Sequence, residues 1–413
     1  MTTLALNRSA RWVRTMAVAG PGVVVMLADT DAGSVITAAQ SGAQWGYGLL
    51  LLQALLVPVL FVVQELALRL GIVTGKSYGD LIRQHFGAHW TRIASLAMIV
   101  ACVGALITEL SGLASVGAMY GIPAGPMLGL VIAGLCLMVL TGSYRSVERI
   151  ALALGAFELV FVLVALKARP EASVIAQGAL AMPFGNAAYL MLISANIGAV
   201  IMPWMVSFHH SSVVEKGLGP ADLRVARWDT AIGAVVTQVV MAAVLVLAAV
   251  SVHERGGTFN GFADLANALT PYFGAREGRL LFAMGLSGAA LVATIVVTLT
   301  AARAAGDLLG FCGLALEKTP REAPAFYLAY VAVLVGSALL VASGINQVWL
   351  GIVVETMNTL LLPLVLGFLY LLAVRLPGEH RLRGTYAAVC AVTLTATVGL
   401  GVFSAIAGTV AGI

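Results

Sequence analysis

The sequence predicts an all-α polytopic membrane protein, and three observations carry that expectation. Of the 413 residues, 60% are hydrophobic and only 10% are charged, against the roughly 25% charge of ordinary soluble chains. Mean hydropathy is +0.99, so most side chains must face lipid or other apolar helices. Apolar windows of about 20 residues, the length that crosses a bilayer, recur from one end of the chain to the other.

Those windows mark eleven spans, near 19–41, 46–70, 92–120, 124–142, 148–167, 187–213, 228–252, 279–308, 323–343, 346–374 and 385–411. The segments between them are short and rich in Gly, Pro and charge, as in 71–92, 142–148 and 217–227, so one transmembrane domain over 1–413 is expected. A formal net charge of +4 is too small for a nucleic-acid partner. Cys102, Cys136, Cys312 and Cys390 lie singly in apolar runs without CxxC spacing, which predicts buried free thiols rather than a disulfide framework or zinc site. No P-loop is present, which argues against an ATP-driven pump, and neither an enzyme activity, a cofactor nor an obligate protein partner is indicated.

Orientation follows from the basic residues, because Lys and Arg are retained on the cytoplasmic side. With a cytoplasmic amino terminus, eighteen of the 23 Lys and Arg fall inside and five, Lys167, Arg169, Arg255, Arg276 and Arg279, fall outside. One helix more or fewer in mid-chain would scramble that division. The basic residues before the first span resemble a signal peptide, yet that span carries two carboxylates and no convincing small-residue cleavage site, so it is read as a retained helix. The chain is expected to sit in the cell inner membrane.

Two spans differ from the rest. The first is interrupted at Asp29-Thr30-Asp31-Ala32-Gly33-Ser34 and the sixth, five helices later, at Gly198-Ala199-Val200-Ile201-Met202-Pro203. Matching interruptions in two halves are the sequence sign of inverted repeats, here near 19–167 and 187–374 with 385–411 as an extra helix, and of a site at mid-membrane. Pro203 lacks an N–H and clashes with the preceding turn, which frees carbonyls near Ala199 as potential ligands.

Asp29 and Asp31 lie about ten residues into the first span, where a carboxylate costs at least ~2.5 kcal/mol. No Arg or Lys is predicted at that depth, so a bound cation is the compensation expected. Asp31 is the direct ligand, because Gly33 allows the backbone to unwind beside it. Three roles are open to Asp29: second ligand, base for a bound water, or proton carrier. Met202, opposite a carboxylate at the matching break, is a soft thioether ligand suited to Mn²⁺ or Fe²⁺.

The remaining polar residues within spans are Gln64, Glu65, Glu109, Glu158, His209, His210, Asp229, Gln238, Glu355 and Asn358. Glu65 and Arg69, four apart on one face, are expected to form a structural ion pair. Asp229 directly follows a basic loop and is expected to cap the seventh span. Glu109 and His209 are the deeper pair, and a carboxylate with an imidazole is a minimal proton relay.

These residues resemble the NRAMP (natural-resistance-associated macrophage protein) divalent metal transporters. The most specific stretches are Gly20-Pro21-Gly22, the first break, Ser41-Gly42-Ala43, Gly46-Tyr47 and Gln64 through Gly75, with Gly198 through Pro203 and His209 as the second cluster. The resemblance implies a leucine-transporter-like fold with two inverted five-helix repeats, and uptake of Mn²⁺ or Fe²⁺, usually coupled to protons. The family's Asp-Pro-Gly-Asn signature reads Asp31-Ala32-Gly33-Ser34 here, so Asp31 is carried over as a metal ligand and Ser34 is a shorter substitute for the Asn. The family's carbonyl and thioether ligands match Ala199 and Met202. Its His after Met-Pro is Trp204, its later His is kept as His209, and its Asp-x-x-Glu pair appears as Leu106 with Glu109.

Half of the proton-handling set is therefore replaced, which resembles a divergent prokaryotic branch that includes magnesium transporters with weak or absent proton coupling. Asp29 points toward a harder ion and Met202 toward a softer one. The competing reading is a leucine-transporter-like symporter of an amino acid or other small organic cation, in which free half-helix N-termini receive a substrate carboxylate; Asp29 and Asp31 would repel it.

Overall fold

The computed structural model describes residues 20–141, 159–309, 321–344 and 346–410, and every regular element among them is a helix. Nine helical segments in these residues are long and apolar enough to cross a bilayer, counting Ala187–Glu215 as one. The first expected span, which is not among the nine, is two helices, α1 (Pro21–Asp29) and α2 (Ala32–Trp45). The fifth is described only as α7 (Leu159–Ala168). Residues 148–158 of that span lie outside the described residues, as do Glu158, Cys312, Arg8, Arg11, Arg14, Arg145, Arg149 and Lys318.

The other long helices follow the expected spans with ends moved by a few residues. They are α3 (Leu50–Thr74), α5 (Ala88–Met119), α6 (Ala124–Thr141), the pair α9 (Ala187–Val200) and α10 (Pro203–Glu215), α11 (Leu223–Ala248), α14 (Ala275–Leu309), α15 (Pro324–Val341), α16 (Gln347–Ala373) and α17 (Gly384–Val410). Shorter helices fill the connections: α4 (Tyr78–Phe86), α8 (Ala172–Leu180), α12 (Phe262–Ala268) and α13 (Thr270–Phe273). Local chemistry sets their limits. Gly75, with φ of 61°, closes α3 in the left-handed region, and the Ser77 hydroxyl accepts from Asp80 N (3.0 Å) to start α4.

The four half-helices α1, α2, α9 and α10 occupy the centre and pack against α3, α5, α11, α14 and α16. Packing there relies on small residues, as expected where lipid offers no hydrophobic contrast. Gly42 brings α2 onto the Leu245 carbonyl of α11, and Gly198 brings α9 onto the Glu355 carbonyl of α16; a methyl group at either would overlap a backbone oxygen. The rim helices α6, α15 and α17 turn Leu130, Leu137, Leu328, Leu339 and Val392 outward, the face a bilayer would cover.

The loops expected in the cytoplasm meet at one end. Glu65 bonds Arg69 (2.7 Å) and Arg227 (2.6 Å) and accepts from the Tyr386 hydroxyl (3.0 Å), while Arg69 Nη1 donates to the His380 carbonyl (3.1 Å). The expected pair is thus the buried centre of a network that Arg227, Tyr386 and the His380 carbonyl complete. Arg303 and Glu215 add a second ion pair, at 2.5 Å. At the other end the Tyr47 hydroxyl donates to Glu254 (2.9 Å), and the Tyr189 hydroxyl donates to the Gly48 carbonyl (2.9 Å).

One expectation is corrected. Asp229 does not cap its own helix, since it lies within α11, seven residues past the N-cap Asp222. Its carboxylate accepts instead from Gly20 N (3.2 Å) and Gly22 N (2.8 Å), holding the N-terminus of α1, where an anion complements the helix dipole.

Candidate functional site

Each break has a local cause. In α9 the carbonyl of Ala199 would normally accept from the N–H four residues on, which is Pro203 and has none. The helix stops at Val200, Ile201 leaves the helical region, Met202 turns extended, and Pro203 opens α10 as its first residue, with Met202 as N-cap. In the first span Thr30 ends α1, and Asp31, extended at φ of −73° and ψ of 174°, caps α2 by accepting from Ser34 N (2.7 Å). The observed breaks are narrower than the six-residue interruptions expected, Thr30–Asp31 and Ile201–Met202.

The two breaks meet. The Ser34 hydroxyl donates to the Ala199 carbonyl at 3.0 Å, so the oxygen freed by Pro203 is joined to the residue three beyond Asp31. Asp29, Asp31, Ser34 and Met202 are fully buried and Ala199 is 3% exposed, which places the junction out of reach of solvent from either end. Both carboxylate oxygens of Asp29 and Oδ2 of Asp31 have no hydrogen-bond partner. A buried carboxylate without a donor or cation is costly, so these three oxygens are the polar atoms of the junction left to be compensated.

The neighbours of the junction divide by role. Glu109 on α5 accepts from Ala32 N (3.0 Å), so its carboxylate covers the N-terminus of α2. His209 on α10 is held through Nδ1 by Gln64 Oε1 (2.7 Å), and His210 through Nε2 by the Lys76 carbonyl (2.8 Å). Glu109 and His209 are thus engaged with different partners. Leu106 and Trp204 are both fully buried, and the Trp204 indole N–H has no acceptor. Among the described residues, no three His, Cys, Asp or Glu side chains form a ready-made metal cluster. Any ion at the junction would therefore draw on mixed donors: carboxylate, hydroxyl, backbone carbonyl and thioether.

Residues singled out only as buried polar groups also reach the first break. Glu355 on α16 places Oε1 beside Gly33, together with Thr108 Oγ1 of α5 and Asp31 Oδ1. Asn358, one turn further along α16, donates to Glu355 Oε2 (2.9 Å). The sequence signal was the carboxylate itself within an apolar span; its direction needed the packing of α16 on α2.

A bundle whose two broken helices meet at a buried junction of this kind has the architecture of leucine-transporter-like membrane transporters. The manganese transporter of Eremococcus coleocola, solved with an aromatic bis-isothiourea substituted compound, is similar in fold at TM-score 0.78, with 21% identity, covering 96% of this chain and 87% of that one. Mhp1, a nucleobase-cation-symport-1 family transporter, is similar at TM-score 0.63 and 15% identity, covering 96% and 91%. The family model for natural resistance-associated macrophage protein-like proteins matches residues 22–407, and the chain belongs to that family. The divalent metal cation transporter MntH of Mesorhizobium japonicum is 30% identical over 370 residues, 84% of this chain and 79% of the relative.

Proposed function

We propose that this protein is a secondary transporter that imports a divalent metal cation across the cell inner membrane, with the ion held where the two broken helices meet. The observation that carries the reading is the Ser34 to Ala199 hydrogen bond at 3.0 Å beside the partnerless oxygens of Asp29 and Asp31. Asp31 supplies the principal charged ligand. The Ala199 carbonyl and Met202 sulfur supply ligands from the second break, Ser34 contributes its hydroxyl, and Asp29 adds a further carboxylate. Trp204 closes the site from the α10 side where an imidazole would otherwise take protons. The family membership and the naming of MntH relatives as divalent metal cation transporters support the metal over an organic substrate, and two buried carboxylates would repel a substrate carboxylate.

Transport proceeds by alternating access between two inverted repeats, near 19–167 and 187–374, with 385–411 outside them and the amino terminus in the cytoplasm. The mixed donor set accommodates Mn²⁺ and Fe²⁺ through Met202 and a harder ion such as Mg²⁺ through the carboxylates. Proton coupling is weak or absent. Leu106 and Trp204 cannot carry protons, and Glu109 and His209 are bound to Ala32 N and Gln64 respectively rather than to each other.

Purified protein in liposomes tests this reading through uptake of Mn²⁺, Mg²⁺ and Ca²⁺ with and without a pH gradient. The expected result is saturable Mn²⁺ or Mg²⁺ influx that an imposed pH gradient changes little. Acidification of the lumen in step with influx, abolished by Asp29→Asn, would show instead that Asp29 carries protons and that coupling persists. No influx of any of the three ions would overturn the transport reading.

A further inference from the structure

We propose that the groove between α16 and α17 seats an acyl chain of an anionic phospholipid, with the lipid phosphate held by Arg381 and Arg383. The inference is independent of the cation site and needs only that the bundle spans a membrane.

The groove has a volume of about 280 Å³. Pro363, Gly367 and Tyr370 of α16 form one wall, and Ala391, Leu394 and Val398 of α17 form the other. Their spacing places each set on a single helix face. Gly367 makes the room, because a methyl group added there meets no atom within 4 Å. Among the described residues, none that lines the groove is charged. Leu360 and Val392, on the outer surfaces of the same two helices, are exposed, so the groove opens toward the surface that a bilayer covers.

Positive charge stands at the mouth of this apolar slot. Val374 continues the stripe of Pro363, Gly367 and Tyr370, and Arg381 Nε donates to the Val374 carbonyl at 2.8 Å. The exposed Arg381 guanidinium is thereby fixed at the end of the groove. Arg383 is exposed beside the N-terminus of α17, where the helix dipole adds to the attraction for an anion. The connection from 374 to 384 carries Arg375, Arg381 and Arg383 against the single carboxylate of Glu379; Arg375 is stacked over the Phe86 ring at 4.5 Å. Just below the arginines the Tyr370 hydroxyl donates to the Ala387 carbonyl (3.4 Å), a ring with one apolar and one polar end, as suits the membrane interface.

The dimensions also match. At 1.5 Å per residue, Pro363 and Val374 are roughly 16 Å apart along the helix, about half of a 30 Å hydrocarbon core. A slot one leaflet deep beneath two arginines fits one acyl chain beneath one phosphate, and basic pockets between membrane helices are where anionic headgroups collect. A zwitterionic lipid offers the same chain but brings its own cation toward the arginines. A second copy of this chain would bring the same positive charge to the mouth.

Native mass spectrometry of the full-length protein, with dioleoyl phosphatidylglycerol or dioleoyl phosphatidylcholine added in detergent, tests the proposal. The wild type is expected to hold phosphatidylglycerol about tenfold more tightly than phosphatidylcholine, and Arg381→Ala and Arg383→Ala are each expected to weaken phosphatidylglycerol by about fivefold. Gly367→Leu, which fills the groove, is expected to weaken both lipids by about fivefold. Its side chain enters open space, so the variant is expected to fold; should Arg381→Ala not fold, Arg383→Ala carries the charge comparison. Equal retention of the two lipids by the wild type would overturn the proposal. So would arginine variants that weaken binding while Gly367→Leu does not, which would show lipid gathered by surface charge without the groove. A dimer that Gly367→Leu disperses, with no lipid lost, would show instead that a second copy covers this face.

Discussion

Asp31 does two things at once, and its substitution separates them. Oδ1 caps α2 through Ser34 N, and Oδ2 is free for an ion. Asp31→Ala removes both, but the cap contributes only ~1 kcal/mol, so the protein is expected to remain folded while metal uptake falls to the level of empty liposomes. Wild-type uptake by that variant would end the ligand assignment. Met202→Ala is expected to reduce Mn²⁺ or Cd²⁺ uptake more than Mg²⁺ uptake, since a thioether serves softer ions. Equal losses for all three would mark Met202 as packing only. The two breaks were legible in the sequence because Asp29, Asp31 and Pro203 each violate a rule: a carboxylate in lipid, or a proline inside an apolar span. Glu355 violated the same rule, but its aim toward Gly33 depends on two helices more than 300 residues apart in the chain, which periodicity along one helix does not encode.

At the scale of elements, the breaks rest on one missing N–H and on glycines that let helices touch. Pro203→Ala would return a donor to the Ala199 carbonyl and straighten α9 into α10. A net hydrogen bond is worth about 1 kcal/mol, near a fivefold loss in metal affinity as that oxygen turns back into the helix. Unchanged affinity in a binding titration would show that the Ala199 oxygen is not a ligand. Gly198→Ala places a methyl against the Glu355 backbone oxygen, which has no flexible side chain to yield. Its expected cost is ~1–3 kcal/mol of stability, visible as a lowered thermal unfolding temperature in detergent; an unshifted transition would contradict the close approach of α9 and α16. The long helices were readable from hydropathy. Short ones such as α4 and α12 were not, because a window of about 20 residues averages nine or seven residues into their neighbours. Asp229 was misread for a related reason: its position after a basic loop suggested a local cap, whereas its partners, Gly20 N and Gly22 N, are more than 200 residues away.

At the scale of the molecule, the residues of the junction are buried from solvent. The ends are held by different chemistry. Ion pairs centred on Glu65 and Glu215 gather the basic loops at one end, and tyrosine hydroxyl bonds such as Tyr47 to Glu254 close the other. On the proposed orientation, with a cytoplasmic amino terminus, the basic loops would lie inside and a negative interior would draw the proposed cation inward. The potential supplies about 2.3 kcal/mol per charge per 100 mV, roughly twice that for a divalent ion, enough to concentrate it without protons. A potassium diffusion potential, negative inside, across liposomes containing the protein is therefore expected to raise the initial rate of Mn²⁺ or Mg²⁺ influx at constant pH. A rate that ignores the potential but follows a pH gradient would place the driving force in protons instead.

The claim on which all of this depends is that a divalent cation sits where the two breaks meet, and anomalous diffraction from crystals grown with Mn²⁺ tests it most directly. The account predicts a strong peak among the Asp31 carboxylate, the Ala199 carbonyl and the Met202 sulfur, lost in Asp31→Ala crystals. A junction without a peak in crystals that bind Mn²⁺ elsewhere, or a peak that survives Asp31→Ala unchanged, would contradict it.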